Sequence, residues 1–525
     1  MDDASHLTYM IAETRRFRNY AKMSDISSAA APAILRVDPR DHVATALRDL
    51  VVGETVRAGD VAVEVVDPVP TGHKIALQPI AAGAPIVKLG WPFARAERAI
   101  APGEHVHTHN ARTLLEGKEA YRYAPAAAEP ADARAADRTF MGYRRASGAA
   151  GTRNEIWILC TVGCVGGTAR RLAERATARF AGRVDGIHAF PHPFGCSQLG
   201  DDLAHTRQML ASLAQHPNAG GVLIVGLGCE NNQLDALLAA APGLDATRMR
   251  SFTTQMVADE YETGLDLIEE LVAIAEQDVR VPVPLSELVL GLKCGGSDGF
   301  SGVSSNPVVG RVADAVAGAG GTPILTEIPE IFGAERLLMA RARDEQVFEK
   351  IVGVVDDFKQ YFLDHGQPIY ENPSPGNKAG GITTLDEKSL GAVQKAGRAP
   401  VVDVLRYGER VHGHGLALLE APGNDAVSST ALTAAGATLI LFTTGRGTPM
   451  GFPAPTLKIS SNSTIAARKP GWIDFDAGTV LAGEPIDAAA DRLLDLVIEA
   501  ASGAPTRAEI NGEREIALWK QGVTV

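Results

Sequence analysis

The chain has 525 residues and a mass of 55.2 kDa, and at roughly 150 residues per domain it predicts about three domains, each large enough for its own core. Apolar residues make up 45% and charged residues 22% of the chain, the balance of a globular protein, which excludes a disordered chain, a coiled coil and a disulfide-stapled miniature. Lys and Arg number 50 against 63 Asp and Glu, so the net charge is −13; without a basic cluster this argues against a nucleic-acid partner.

Residues 1–34 lack periodicity and end in SSAAAPA, which predicts a disordered extension, with Met23 a candidate start. Arg15, Arg16 and Arg18 are followed by no apolar segment and stand near Asp2, Asp3 and Glu13, unlike a signal or transit peptide. No apolar run approaches the roughly 18 residues of a membrane helix, so a cytoplasmic protein without a membrane partner is expected. From 35 to 112, short Val, Ile and Ala runs alternate with turn signals such as GETVRAGD and IAAGAPIVKLG, the spacing of a small all-β unit. YAPAAAEPADARAAD then marks 113–138 as a linker without regular structure, on which the β unit can move and at which limited proteolysis should cut first.

Beyond the linker, a middle domain (139–285) and a C-terminal domain (286–525) share one texture. The apolar runs IWILCTV, GGVLIVGLG, ELVLGLKC, TPILTE, PVVDVL and TLILFTTG alternate with amphipathic helical stretches, the pattern of βαβ units around a mainly parallel sheet. Several runs end in glycine-rich turns (TVGCVGG, GLGCENN, KCGGSDG, TTGRG), at the strand edge where open α/β sheets place their ligand crevices. Five cysteines is an odd number, and four of them sit in those and similar turns, which suits reduced thiols or metal ligands.

The segments TGHKIAL, HVHTHN, FPHPFGCSQLGDD, GLGCENNQ, KCGGSDGFSG, ENPSPGNKAGGITTL, FTTGRGTPMG and WIDFDAG, in that order, resemble the altronate/galactarate dehydratase family. The resemblance runs from about residue 35 to the C-terminus, and GCSQLGDD, GLGCENNQ and LRYGER are similar to its altronate branch. It implies a β-clip (SAF-like) N-terminal domain, a middle domain that can pair two copies into a homodimer, a Rossmann-like C-terminal domain, and ferrous iron under reducing conditions. The implied reaction removes the C2 proton and the C3 hydroxyl of D-altronate, giving 2-dehydro-3-deoxy-D-gluconate. Galactarate or another sugar acid is the alternative substrate, and a catalytically silent sugar-acid binder the alternative class.

Such a dehydration needs a stabilised aci-carboxylate, a base, and an acid or metal for the leaving hydroxide. Cys164, Cys196, Cys229 and Cys294 each stand beside glycine after an expected strand, and can ligate ferrous iron or an iron–sulfur cluster; small buried thiols fitting tight turns are the alternative. Cys160 reads as core. In the β unit, alternation puts His105, His107 and His109 on one strand face. With the resemblance, His107 and His109 become metal candidates, His73 the acid/base, and Lys74 and Asn110 substrate contacts, while His105 is left as surface. His192 is a further ligand candidate, with Asp201 and Asp202 near it or, alternatively, complementing a helix dipole. Asn377 and Lys378 lie in a loop expected to lack regular structure, Lys378 for carboxylate binding or proton abstraction and Asn377 for substrate. Arg446 can clamp a carboxylate, with Thr448 for hydroxyls. Glu327 is a candidate base and Glu330 a base or ligand, against solvated loop acids; Asp298 and Asp425 can be turn formers. If the strand-end loops build one crevice, Cys196, Cys229 and Cys294 should gather at one sheet edge near Lys378 or Arg446.

Overall fold

The computed structural model describes residues 32–525 other than 128 and 130. The expected N-terminal extension, Met23 included, lies almost wholly outside those residues. Between Ile34 and Arg112 the chain forms only short antiparallel strands. Ile34–Leu35, Val43–Ala46, Lys74–Ala76 and His105–Val106 make one sheet in that order, and Pro85–Lys88, Trp91–Ala96 and Ala111–Arg112 another. The described residues of 113–138 carry no helix or strand, but the segment is not a free tether. Leu115 and Ala135 are buried, Tyr121 donates to Glu335 at 2.6 Å, Thr113 donates to Asp386, and Arg134 pairs with Asp487 and Asp491. The swinging β unit expected from composition is therefore replaced by a strap, because the side chains this stretch offers find partners on the C-terminal domain.

The middle domain is entered by Thr139–Arg144 and left by Val281–Pro284, which pair antiparallel. Between them lies a parallel sheet of β1 (Glu155–Cys160), β2 (Gly186–Phe190), β3 (Ala219–Gly226) and β4 (Met249–Thr253), in the order β2-β1-β3-β4. All residues of β1 and β3 are buried, as expected of strands covered on both faces. Helices α1 (Gly166–Arg179) and α2 (Gly200–Ala214) follow β1 and β2. Helix α3 (Glu260–Ala275) starts at Asp259, whose carboxylate accepts from the Tyr261 and Glu262 amides.

The C-terminal domain is built on seven parallel strands: β5 (Val289–Cys294), β6 (Thr322–Leu325), β7 (Val401–Leu405), β8 (Leu416–Leu419), β9 (Leu439–Thr444), β10 (Thr456–Ser460) and β11 (Phe475–Asp476). Their order is β7-β8-β6-β5-β9-β10-β11. The chain builds one side of the sheet from β5 to β8 and then crosses to place β9 against the free side of β5. That reversal is a topological switch point, where the loops after two adjacent strands diverge and leave a crevice at the carboxy edge. The two sheets meet by their amino edges, where Thr152 Oγ1 and Asn218 Nδ2 donate to the Thr438 carbonyl. Each carboxy edge therefore lies away from that junction. Among the described residues no helix is long and apolar enough to cross a membrane.

Candidate active site

At the switch point, Cys294 ends β5 and is followed by Gly295, Gly296 and Asp298, while Thr444 ends β9 and is followed by Gly445 and Arg446. Asp298 ties these loops together. Its carboxylate accepts from Ser301 Oγ at 2.9 Å, Ser461 Oγ at 2.8 Å and Asn462 Nδ2 at 2.9 Å, so it is a buried hub rather than a simple turn former. The Arg446 amide donates to the Gly296 carbonyl, and its guanidinium is exposed, with no ion pair among the described residues.

The β unit closes over this edge through three of the motifs. Gly72 packs its carbonyl against Gly299 and Gly381 so closely that a Cβ at either would lie 1.9 or 2.2 Å from that oxygen. Lys74 Nζ donates to the Gly381 carbonyl at 2.6 Å, and Lys74 and Lys88 share Glu387, each at 2.8 Å. Burial lowers Lys74 to about 8 despite Glu387, and the two lysines hold Glu387 at about 2 against the burial that would raise it. Lys74 is wholly buried in this brace, so its expected role as a substrate contact is corrected to domain docking.

His73, His105 and His107 meet at the same seam, with one nitrogen from each ring all within 4.8 Å of one another. His73 Nδ1 is 3.0 Å from His105 Nε2, and His107 Nδ1 is 3.1 Å from Thr383 Oγ1. Burial lowers all three, aided by Lys74 at His73; His105 falls to about 3 and His107 to about 4. Neutral imidazoles are what a divalent ion requires, so these donors fit a metal. Two expectations change here. Only His105–Val106 is strand; His107 to Asn110 form a turn, and it is the turn that folds the rings together. His105, expected at the surface, is a member of the cluster, whereas His109 is exposed at its rim. Asn110 is fully buried, its carbonyl accepting from the His107 amide and its amide donating to the His105 carbonyl, so it shapes the turn and is not available to substrate.

Ser374 and Pro375 set a short helix, Pro375–Ala379, where an irregular loop was expected: Ser374 caps it reciprocally with Asn377 and proline occupies its first turn. Asn377 also donates to the Ser297 carbonyl at 2.8 Å, so it positions the loop instead of meeting substrate. Lys378 is half-buried beside Ala379, whose carbonyl lies 3.4 Å from His73 Nε2, and it has no ion pair among the described residues. Thr448 Oγ1 accepts from the Met450 amide at 3.3 Å.

Beneath the crevice lies a buried ionic layer. Glu327, at φ 70° in the left-handed region, contacts Lys293, lies 3.2 Å from Lys395, and accepts from the Cys294 amide. Glu330 pairs with Lys388, and Asp425 with Lys293, both at 2.8 Å. Burial would raise the Glu327 carboxyl, but Lys293 and Lys395 hold it at about 2, and it is sealed from solvent. A weak, inaccessible base cannot take the catalytic role expected of it. Cys294, Glu327 and Glu330 approach one another as metal ligands would, but Lys293, Lys388 and Lys395 already supply the cations. Burial and Glu327 push the Cys294 thiol up to about 12, so without a metal it is a neutral member of this layer.

The other thiols are elsewhere. Cys164, Cys196 and Cys229 follow the neighbouring strands β1, β2 and β3 on the middle domain, all exposed, so the expected gathering of Cys196 and Cys229 with Cys294 does not occur. Cys160 is core. His192 is removed as a ligand, since Nε2 lies 2.9 Å from the Cys160 carbonyl and Nδ1 accepts from the Phe194 amide. Asp202 instead accepts from the Gln521 and Gly522 amides, anchoring the C-terminal tail. Sequence reasoning missed Thr383, Glu387 and the three buried lysines; Lys293 inside the apolar run ELVLGLKC was the available signal.

Residues 32–114 match the altronate/galactarate dehydratase SAF domain, 142–276 the second domain of D-galactarate dehydratase/altronate hydrolase, and 285–524 the D-galactarate/altronate dehydratase C-terminal domain. The chain belongs to the galactarate/altronate dehydratase family. It is 51% identical to an altronate dehydratase of Escherichia coli K12 over 94% of this chain and 99% of that one. It is 48% identical to an altronate dehydratase of Bacillus subtilis 168 over 94% and 100%, and 33% identical to a galactarate dehydratase (L-threo-forming) of E. coli K12 over 89% and 92%. The family's three domains are thus all present, and TGHK, CGGSDG and NKAGG are the motifs that meet at the switch-point seam.

Proposed function

We propose that this chain is a hydro-lyase that converts D-altronate to 2-dehydro-3-deoxy-D-gluconate and water in a reducing cytoplasm, as a homodimer. The observation that carries the reading is full-length similarity to two altronate dehydratases at 51% and 48%, against 33% for the galactarate enzyme, which favours altronate over galactarate. Histidines fit for a metal and two cations without ion pairs, at one seam, favour turnover over silent binding.

In this reading His73, His105 and His107 would hold ferrous iron, which would supply Lewis acidity for the leaving hydroxyl. His73 then serves as a ligand rather than as the acid/base. Arg446 clamps the C1 carboxylate in its planar fork, and Thr448 takes a hydroxyl. Lys378, once its ammonium has given up a proton to solvent, takes the C2 proton from its place beside the histidines. The buried Lys74–Glu387–Lys88 brace keeps the β unit closed so that water is excluded from the seam.

The test is to offer the purified protein D-altronate, galactarate and other sugar acids with ferrous iron and a thiol reductant, and to read the 2-keto-3-deoxy product. Product from D-altronate ahead of galactarate is expected, with loss on exhaustive chelation. Lys378→Ala should lower turnover about 10²- to 10⁴-fold. No product from any sugar acid overturns the activity, and full turnover after chelation overturns the iron. Sedimentation velocity reports the dimer.

A further inference from the structure

Away from the crevice, a cavity of about 350 Å³ lies where three parts of the chain meet. The β unit gives it Leu89 and Trp91, the strap Pro125, and the C-terminal domain Leu337, Val393 and Ile486. Its volume is that of a small-molecule pocket, and apolar side chains make most of its wall. The strap is stitched down at this place, since the Ala126 amide donates to the Ala340 carbonyl at 2.8 Å.

The charges around the cavity do not cancel. Five arginines reach its wall: Arg40, Arg311, Arg341, Arg343 and Arg398. Four of them meet carboxylates. Arg40 pairs with Asp38 at 2.9 Å, Arg311 with Asp487 at 3.0 Å, Arg343 with Asp344 at 3.1 Å and Arg398 with Glu129 at 3.2 Å. Arg341 has no ion pair among the described residues. Asp314 and Glu129 stand near enough to favour its charge, but Asp314 accepts from the Arg398 and Ala399 amides and Glu129 faces Arg398. Burial lowers the Arg341 guanidinium to about 10 against those two acids, which leaves it a cation at neutral pH. Main-chain carbonyls fix its plane: Nε donates to Leu337 at 3.3 Å, and Nη1 to Gly397 at 2.5 Å and Ala399 at 3.3 Å. Nη2 has no hydrogen-bond partner among the described residues. A half-buried cation at an apolar wall, oriented but short of a counter-charge, is stabilised by an anion that enters the cavity.

A sugar acid would leave its hydroxyls unpaired against this wall, so the occupant differs from the substrate of the crevice. We propose that the cavity binds a small monocarboxylate with an apolar body, a ring system or a medium-length chain, its carboxylate on Arg341 and its body against Trp91, Leu337 and Ile486. The site backs onto the crevice. Lys88 and Lys395 enter the buried ion pairs with Glu387 and Glu327, while their chain neighbours Leu89 and Gln394 line the cavity. Leu89 is held at φ 56°, left-handed backbone rare for such a side chain, at the point where the chain passes from brace to cavity. An occupant touches the β unit, the strap and the C-terminal domain at once, and so favours the closed arrangement in which the brace is made. This site is separate from the histidine seam, and it stands whether or not the sugar-acid reading holds.

The probe is 2-naphthoate, titrated into the full-length protein by isothermal calorimetry, and one saturable site per chain is expected. 2-Naphthylmethanol keeps the ring without the charge and acetate keeps the charge without the ring; each should bind about 10- to 100-fold more weakly. Arg341→Met keeps the apolar stem, removes the fork and should lose the same factor with native circular dichroism. Arg446→Gln, at the crevice, should bind 2-naphthoate as the unaltered protein does. No saturable binding, equal binding of the alcohol, full-strength binding by Arg341→Met, or loss of binding in Arg446→Gln overturns the proposal. The comparison of acid with alcohol uses the unaltered protein, so it decides the matter if Arg341→Met fails to fold.

Discussion

Two strand ends in this molecule carry the same local signal and opposite chemistry. Cys294 ends β5 and Cys164, Cys196 and Cys229 follow β1 to β3, each beside glycine-rich backbone. Around Cys294 the sheet is covered by the β unit and its strap, and the thiol is packed with three lysines and two glutamates. At the middle domain's edge the C-terminal tail pairs with the loop after Cys196, through Thr524 beside Gln198 and the Val525 amide on the Ser197 carbonyl, and the three thiols still meet solvent. The difference lies in what packs on the edge. A covered edge turns a strand-end cysteine into a neutral filler of an ion-paired layer, whereas an edge lined only by the C-terminal tail leaves it exposed.

The widest contrast is in reactivity. In protein stripped of metal, iodoacetamide at pH 8 should modify Cys164, Cys196 and Cys229 and spare Cys160 and Cys294, read by peptide mass mapping. With a thiol pushed up to about 12, only about one Cys294 in 10⁴ is thiolate at that pH, and it is also sealed. Labelling of Cys294 at the rate of the other three would erase the comparison.

Next in size is the ionic layer. Glu327→Gln leaves Lys293 and Lys395 facing each other, buried and short of a counter-charge, and should cost about 3–5 kcal/mol in urea unfolding. Cys229→Ser at the open edge should cost far less in the metal-free protein; equal losses would show the two edges to be alike. A third effect comes from Asp386, which takes the strap's Thr113 hydroxyl. Burial raises its carboxyl to about 6, above an unfolded value near about 4. The folded state binds this proton more tightly, so its stabilisation is complete below about pH 4 and is lost as pH rises through about 6, a contribution of about 2–3 kcal/mol. Asp386→Asn should flatten that slope in the unfolding midpoint, and an unchanged slope would move it to other groups. The smallest effect is Ser374→Ala, expected to cost about 1 kcal/mol through the lost cap and to loosen Lys378 while leaving the thiol edge unchanged.

Long buried runs were legible in the sequence. EIWILC and AGGVLIVG are strands because β-branched and leucine side chains, covered on both faces, leave no polar phase to mislead. Shorter strands escaped: GIHAF carries a histidine, LALL has only four residues, MRSFT is half polar, and TLKIS puts Lys458 in its middle. Within the crevice, the motifs TGHK, HTHN, CGGSDG and NKAGG were visible, but their division into ligands, braces and caps was not. Lys74 and Lys378 look equally available in sequence, and only the approach of Glu387 separates them.

Composition, alternating apolar runs and glycine-rich strand ends thus fixed an all-β unit followed by parallel α/β domains with cysteines and histidines at their edges. These are local properties, set by backbone preference and by the period of side-chain burial. Which edge each cysteine faces, and which lysine meets a carboxylate, depends on contacts between residues far apart in the chain, such as Lys88 with Glu387 and Gly72 with Gly299. Electrostatic and steric pairing acts through space, so the same cysteine-and-glycine turn became an ion-paired core on one sheet and a set of exposed thiols on the other.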